Sequence, residues 1–186
     1  SLKNKWGQEL KMRKVLSQRG LKFQLQKCRL LALDFDGVLT DNGVYVDSKG
    51  REMVRCDKYD STGLGALKKC GVVAITILTR EPKNGLVPVR AKKMGIDCHC
   101  GLEPGEKLPK LQELTRKLNI NLESVCYIGN DINDLDCLKN VGLAVAVANS
   151  HLDILGSVDF VTSKPGGHGA VREICDLLMK VNKKEA

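Results

Sequence analysis

The sequence predicts an α/β fold: a parallel sheet covered by helices on both faces, with a small β-hairpin added. Short apolar runs alternate with stretches of helical length and period along the chain, as in a parallel sheet with crossover helices. The apolar runs are short, as in buried strands, and Val72 to Leu78 is rich in β-branched residues. The 186 residues suffice for one domain with a real core, and the 42% of apolar residues fit a soluble globular chain.

Each element follows from local pattern. Leu30 to Phe35 is an apolar run ending in acids, read as a buried strand. Gly43 to Val46 and Glu52 to Cys56 flank the polar turn Asp47-Ser48-Lys49-Gly50 and form a hairpin. Ser61 to Lys69 reads as a helix capped by Asp60 or Ser61. Val72 to Leu78 is the next buried strand, and Leu86 to Met94 is helical, with Pro88 at its start or a kink. A short strand lies around Asp97 to Cys100. Pro104 to Leu118 is a helix with apolar residues at 108, 111, 114 and 118. Ser124 to Ile128 is a strand, Leu135 to Leu138 a helix, Gly142 to Val147 and Val158 to Val161 strands, and Gly169 to Val181 the closing helix.

The net charge of +8 is unevenly placed. Residues 1–29 hold nine basic residues against the single acid Glu9, and the remaining 21 basic and 21 acidic residues cancel. The division into a basic arm or linker (1–29) and a neutral body (30–182) argues against a nucleic-acid partner, since phosphate-tracking surfaces need clustered Lys and Arg. No apolar run has the length of a membrane span, and no apolar signal-peptide core is present. The eight cysteines sit mostly in apolar runs, so free buried thiols in a reducing, cytoplasmic compartment are expected. Cys98-His99-Cys100 lacks a matching second pair, so structural zinc is not expected.

Ligands of an open α/β sheet bind beyond the carboxyl ends of its strands. Asp34, Asp36, Gly37, Thr40 and Asp41 follow the first strand, Thr79 the second, and Asn130, Asp131 and Asp134 the third. Lys107 starts the helix between the last two. Asp34 and Asp36, two apart, point to one side of an extended chain. Close carboxylates call for a positive partner, and a hard cation with oxygen ligands, Mg²⁺, is the natural one.

Asp34-Phe35-Asp36-Gly37-Val38-Leu39-Thr40-Asp41 resembles the first signature of the haloacid dehalogenase superfamily of phosphotransferases. Thr79, closing Ile-Leu-Thr, resembles the second, and Lys107 the third. Gly129-Asn130-Asp131-Ile132-Asn133-Asp134 resembles the fourth. The resemblance covers about residues 30–180 and implies a Rossmann-like sheet and a phosphomonoesterase. In it Asp34 is the nucleophile and Asp36 the general acid and base. Thr79 and Lys107 bind the phosphoryl group. Asp34, the Asp36 carbonyl and Asn130 hold Mg²⁺, with Asp134 as support or as a ligand through water. One departure stands out: the fourth signature usually has Asp where this chain has Asn130.

The spacing of the signatures leaves no room for a cap domain, so a neighbouring subunit or a large substrate must close the site. A narrower resemblance links the hairpin, the segment from Asp57 to Leu64 and the segment from Lys164 to Glu173 to one capless group. That group contains the 3-deoxy-manno-octulosonate 8-phosphate phosphatases, the nonulosonate (sialic acid and KDN) 9-phosphate phosphatases and the phosphatase-like domain of acylneuraminate cytidylyltransferases. Its members are homotetramers. Glu81, Arg90 and Lys93 resemble the nonulosonate branch, which points to a nine-carbon sugar acid phosphate as substrate. Arg90 and Lys93 either pair with a sugar carboxylate or form a solvated helix face. His168, in Gly166-Gly167-His168-Gly169, is a candidate substrate contact, and that loop either offers main-chain N–H groups to an anion or is a turn. The rival readings are an eight-carbon 8-phosphate substrate and a non-catalytic oligomerisation domain beside a cytidylyltransferase.

Overall fold

A computed structural model describes residues 16–182. The sheet has six parallel strands: β1 (Leu30–Leu33), β4 (Ala74–Leu78), β5 (Asp97–His99), β6 (Val125–Gly129), β7 (Leu143–Ala146) and β8 (Phe160–Val161). Their spatial order is β5-β4-β1-β6-β7-β8. A separate antiparallel hairpin, β2 (Thr40–Val46) with β3 (Glu52–Cys56), leaves the carboxyl end of β1.

Period-two alternation builds both halves of the core from one strand. Leu31 and Leu33 face the layer of α2 (Lys58–Cys70), α3 (Leu86–Met94) and α6 (Ala170–Asn182). Leu30 and Ala32 face α4 (Lys107–Lys117) and α5 (Leu135–Asn140). Both faces of β1 are therefore buried, which is why its sequence is apolar throughout.

The body starts earlier than residue 30. Helix α1 (Gln18–Lys27) buries Leu25 in the core, Cys28 follows it there, and the Leu16 N–H donates to the Asp159 carbonyl at 3.0 Å. The charged residues of this segment hid its narrow apolar stripe. Residues 1–15 of the expected basic arm lie outside the described residues. The start of α2 also differs from the sequence reading. Asp57 caps it, accepting from the Tyr59 N–H at 2.6 Å. Asp60 instead reaches across to the start of α6 and accepts from the Arg172 N–H at 2.8 Å. All eight cysteines are free thiols. Among the described residues no helix is long and apolar enough to cross a membrane.

Candidate active site

The central register levels the functional strand ends. Leu33 of β1 pairs with Ile77 of β4 on one side and with Ile128 of β6 on the other. Asp34 and Asp36, Thr79, and Asn130 therefore converge where the strand order reverses. A cavity of about 110 Å³ opens there, lined by Asp34, Asp36, Asn42, Thr79, Arg80 and Glu81 on one side and by Asn130, Asp131 and Asn133 on the other.

Asp34 is buried, and both carboxylate oxygens are engaged. One accepts from the Phe35 N–H at 2.7 Å, and the other lies 2.8 Å from the Lys107 Nζ. Burial, then the negative charge of Asp134, pushes its carboxyl up to about 7, against the pull of Lys107. Asp36 is pushed up to about 6, by burial first and then by Glu81. The chain after Asp34 turns tightly, with the Leu39 N–H donating to the Phe35 carbonyl at 2.8 Å. Gly37 has φ 75°, and a Cβ there would lie 2.0 Å from the Asn130 Nδ2. Only glycine lets Asn130 approach this loop.

Lys107, buried at the start of α4, bridges two acids: Asp34 and, also at 2.8 Å, Asp134. Asp134 is fully buried. One of its oxygens accepts from Lys107 and from the Tyr127 hydroxyl, each at 2.8 Å. The other accepts from the Asn130 N–H at 2.9 Å. Asp134 thus positions Lys107 and the Asn130 backbone, the supporting role that the resemblance offers it beside ligation through water.

The site fits a hard divalent cation. The Asn130 Oδ1 is buried and has no hydrogen-bond partner among the described residues. A buried orphan acceptor costs about 1–3 kcal/mol, and a cation held between it, Asp34 and the Asp36 main chain removes that cost. Charge agrees: one lysine serves both Asp34 and Asp134, and the carboxyls of Asp34 and Asp36 are raised by burial first and then by the neighbouring acids Asp134 and Glu81. An amide supplies an oxygen ligand as a carboxylate does, without its charge.

Of the residues expected to touch substrate, Glu81 lines this cavity. Arg90 and Lys93 line a neighbouring groove with Glu52, Met53 and Lys58, and an Arg90 guanidinium nitrogen donates to the Ser61 hydroxyl. His168 sits in the Gly166–Gly169 loop with its Nδ1 2.9 Å from the Gly166 carbonyl, and it does not line the cavity. The main-chain N–H groups of this loop are not free for an anion. Gly166 donates to Asn149 Oδ1 at 2.9 Å, Gly167 to the Val38 carbonyl at 3.0 Å, and Gly169 to Asp60 at 3.3 Å. The loop is a strap over the segment that carries Asp36: a Cβ on Gly166 would meet the Gly37 carbonyl oxygen at 1.7 Å.

Sequence reasoning passed over Asn42, Arg80, Asn133 and Tyr127. Arg80 directly follows a strand end, which was signal enough. Tyr127 lies inside an apolar strand, and nothing local announces that its hydroxyl reaches Asp134.

Residues 104–174 match the haloacid dehalogenase-like hydrolase family. The chain is 37% identical to the 3-deoxy-D-manno-octulosonate 8-phosphate phosphatase of Escherichia coli K12 over 159 residues, which is 86% of this chain and 83% of that one. A solved phosphatase of the same name from Moraxella catarrhalis, in complex with magnesium, phosphate and KDO, superposes with a TM-score of 0.83 at 34% identity, covering 89% of this chain and 93% of that one. The cobalt-bound enzyme from Haemophilus influenzae gives 0.77 at 27% identity, covering 87% and 92%.

Proposed function

Since the chain belongs to the haloacid dehalogenase-like hydrolases, we propose that this Mg²⁺-dependent phosphatase hydrolyses 3-deoxy-D-manno-octulosonate 8-phosphate. The chemistry rests on one observation: a buried acid at a strand end, Asp34, 2.8 Å from a buried lysine and level with Thr79 and Asn130. The substrate rests on identity that runs over 86% of the chain with enzymes of that name.

In this reading Asp34 attacks phosphorus, the P–O bond to the sugar breaks, and an aspartyl-phosphate forms. Asp36, with its carboxyl near 6, protonates the leaving alkoxide and then takes a proton from the attacking water. Lys107 and Thr79 hold the equatorial oxygens, where charge must be neutralised and geometry fixed. Asp134 and Tyr127 keep Lys107 aimed at Asp34. Mg²⁺, held by Asp34, the Asp36 carbonyl and Asn130, supplies electrostatic stabilisation of the transferring phosphoryl group.

A neighbouring subunit closes the capless site. The hairpin presents Val44, Tyr45, Val46 and Met53 to solvent, an apolar surface suited to a second copy in a homotetramer. Sedimentation would give a tetramer; a monomer would remove this part. The free thiols suit a cytoplasmic setting.

The nine-carbon substrate is the second reading, favoured by Glu81 in the cavity wall and by Arg90 and Lys93 along one groove beside it. Phosphate release with Mg²⁺, compared as kcat/KM for eight- and nine-carbon 3-deoxy-2-ulosonate phosphates, decides between them. At least a tenfold preference for the eight-carbon acid is expected. The reverse preference selects the second reading. No turnover of either, with the tetramer intact, leaves a non-catalytic oligomerisation domain.

A further inference from the structure

Cys98-His99-Cys100 is a motif that the phosphatase chemistry leaves unused. It lies on and just past the edge strand β5, and strand parity divides it. His99 faces α4: burial, then the charge of Lys110, holds its imidazole below the usual range. Cys98 and Cys100 face the opposite layer and pack against the core that includes Val87 and Ala91 of α3. Their side chains interact, and burial, then the Cys98 thiol, pushes the Cys100 thiol up to about 12. The pair opens on a cavity of about 460 Å³ at the sheet edge, with Lys83, Pro88, His99, Glu106 and Lys110 around it.

A disulfide suits this geometry poorly. Same-side neighbours on an extended chain are about 6.6 Å apart, two rises of about 3.3 Å. That is the far end of the disulfide range of about 4.4–6.8 Å between Cα atoms. A soft ion between the sulfurs relaxes the demand: at about 2.3 Å per metal–sulfur bond a linear bridge spans about 4.6 Å. Zinc wants four ligands, and among the described residues no group of three or more His, Cys, Asp or Glu is placed to hold a metal. Thiolates select Cu(I) among soft ions, and the ion takes the place of the proton that burial holds on the Cys100 thiol.

We propose that Cys98 and Cys100 bind one Cu(I) ion as a two-coordinate bis-thiolate. Two S–H bonds break, two Cu–S bonds form and two protons pass to solvent; copper stays Cu(I), so no oxidant or reductant is needed. The ion is wired to the phosphoryl site through the backbone. The Thr79 N–H donates to the His99 carbonyl at 3.0 Å, the Leu102 N–H to the Thr79 carbonyl at 3.2 Å, and the Gly101 N–H to the Glu81 carbonyl at 2.6 Å. Drawing the two sulfurs onto one ion moves the segment that holds Thr79 and Glu81 in place.

The test is anaerobic titration of the reduced full chain with Cu(I) against a chromophoric Cu(I) chelator, which needs no enzymatic activity. The wild type and Cys70→Ser, which removes the exposed thiol, should each retain one equivalent. Cys98→Ser and Cys100→Ser should each bind at least tenfold more weakly. Iodoacetamide mapping of the wild type guards against a variant that fails to fold: one equivalent should protect Cys98, the more exposed thiol of the pair. Retention in both serine variants, or protection at Cys56 or Cys70 instead, overturns the site. Copper loading should lower Mg²⁺-supported phosphate release at least threefold; binding with unchanged release keeps the site and overturns its link to Thr79.

Discussion

Replacing Tyr127 by Phe removes one oxygen from beneath the active site and leaves every carbon in place. That oxygen donates to Asp134 at 2.8 Å, and both residues are fully buried. Burial, then the nearby Asp134 carboxylate, raises the phenol well above its usual range, so it remains a neutral donor at any working pH. The substitution leaves no sizeable cavity, so the packing cost is small. What is lost is a hydrogen bond to a buried carboxylate, worth about 1.5–3 kcal/mol. At about 2–4 °C per kcal/mol for a domain of this size, the Tm should fall by about 3–12 °C. Function should suffer as well. The Asp134 oxygen that loses the phenol keeps Lys107 alone as its side-chain donor and draws it away from Asp34. A loss of about 1.4 kcal/mol of transition-state positioning would lower kcat about tenfold. Urea unfolding without Mg²⁺ measures the first quantity as a shift in midpoint at constant slope. Tyr59→Phe, at an exposed position, should stay within about 0.5 kcal/mol of wild type. If Tyr127→Phe did the same, with kcat intact, the buried network would not organise this site.

Asp34→Asn should abolish turnover while far-UV circular dichroism and the Tm with EDTA stay native-like; near-normal turnover would reassign the nucleophile. The carboxyls of Asp34 and Asp36 are raised to about 7 and about 6, so the folded protein holds these protons more tightly than the unfolded chain does. That stabilisation is complete below about pH 4 and is lost as pH rises through 6 to 7. Mg²⁺ competes with these protons, so its effect on Tm should be larger at pH 8 than at pH 5.5, and an equal shift at both would contradict the assignment. Gly166→Ala drives a Cβ to 1.7 Å from the Gly37 carbonyl oxygen. Backbone cannot yield as a side-chain tip can, so a cost of about 1–3 kcal/mol is expected, with a fall in kcat because the displaced loop carries Asp36; wild-type melting and kinetics would show that the strap is loose.

Strand ends were the most readable part of this chain. Asp34, Thr79 and Asn130 all stand out because a buried strand must be apolar until it leaves the sheet, so polar residues just beyond it are conspicuous. Helix starts were less readable. Asp60 has the chemistry of a cap, but the helix start it serves is that of α6, and its contact there, Gly169, lies 109 residues further along the chain. The substrate residues were least readable, because Arg90 and Lys93 look alike whether they meet a ligand or water.

By itself, then, the sequence determined the α/β class, the order of the strands' polar ends, the neutral body beneath a basic start and the set of groups able to handle a phosphate. Those are properties of local pattern and of charge. Tertiary structure alone decided that Asp134 holds Lys107 and the Asn130 backbone, that the glycine loop is a strap with its N–H groups spent, and that α1 belongs to the core. Each depends on which distant group fills a donor, an acceptor or a face, and packing settles that only when the chain closes on itself.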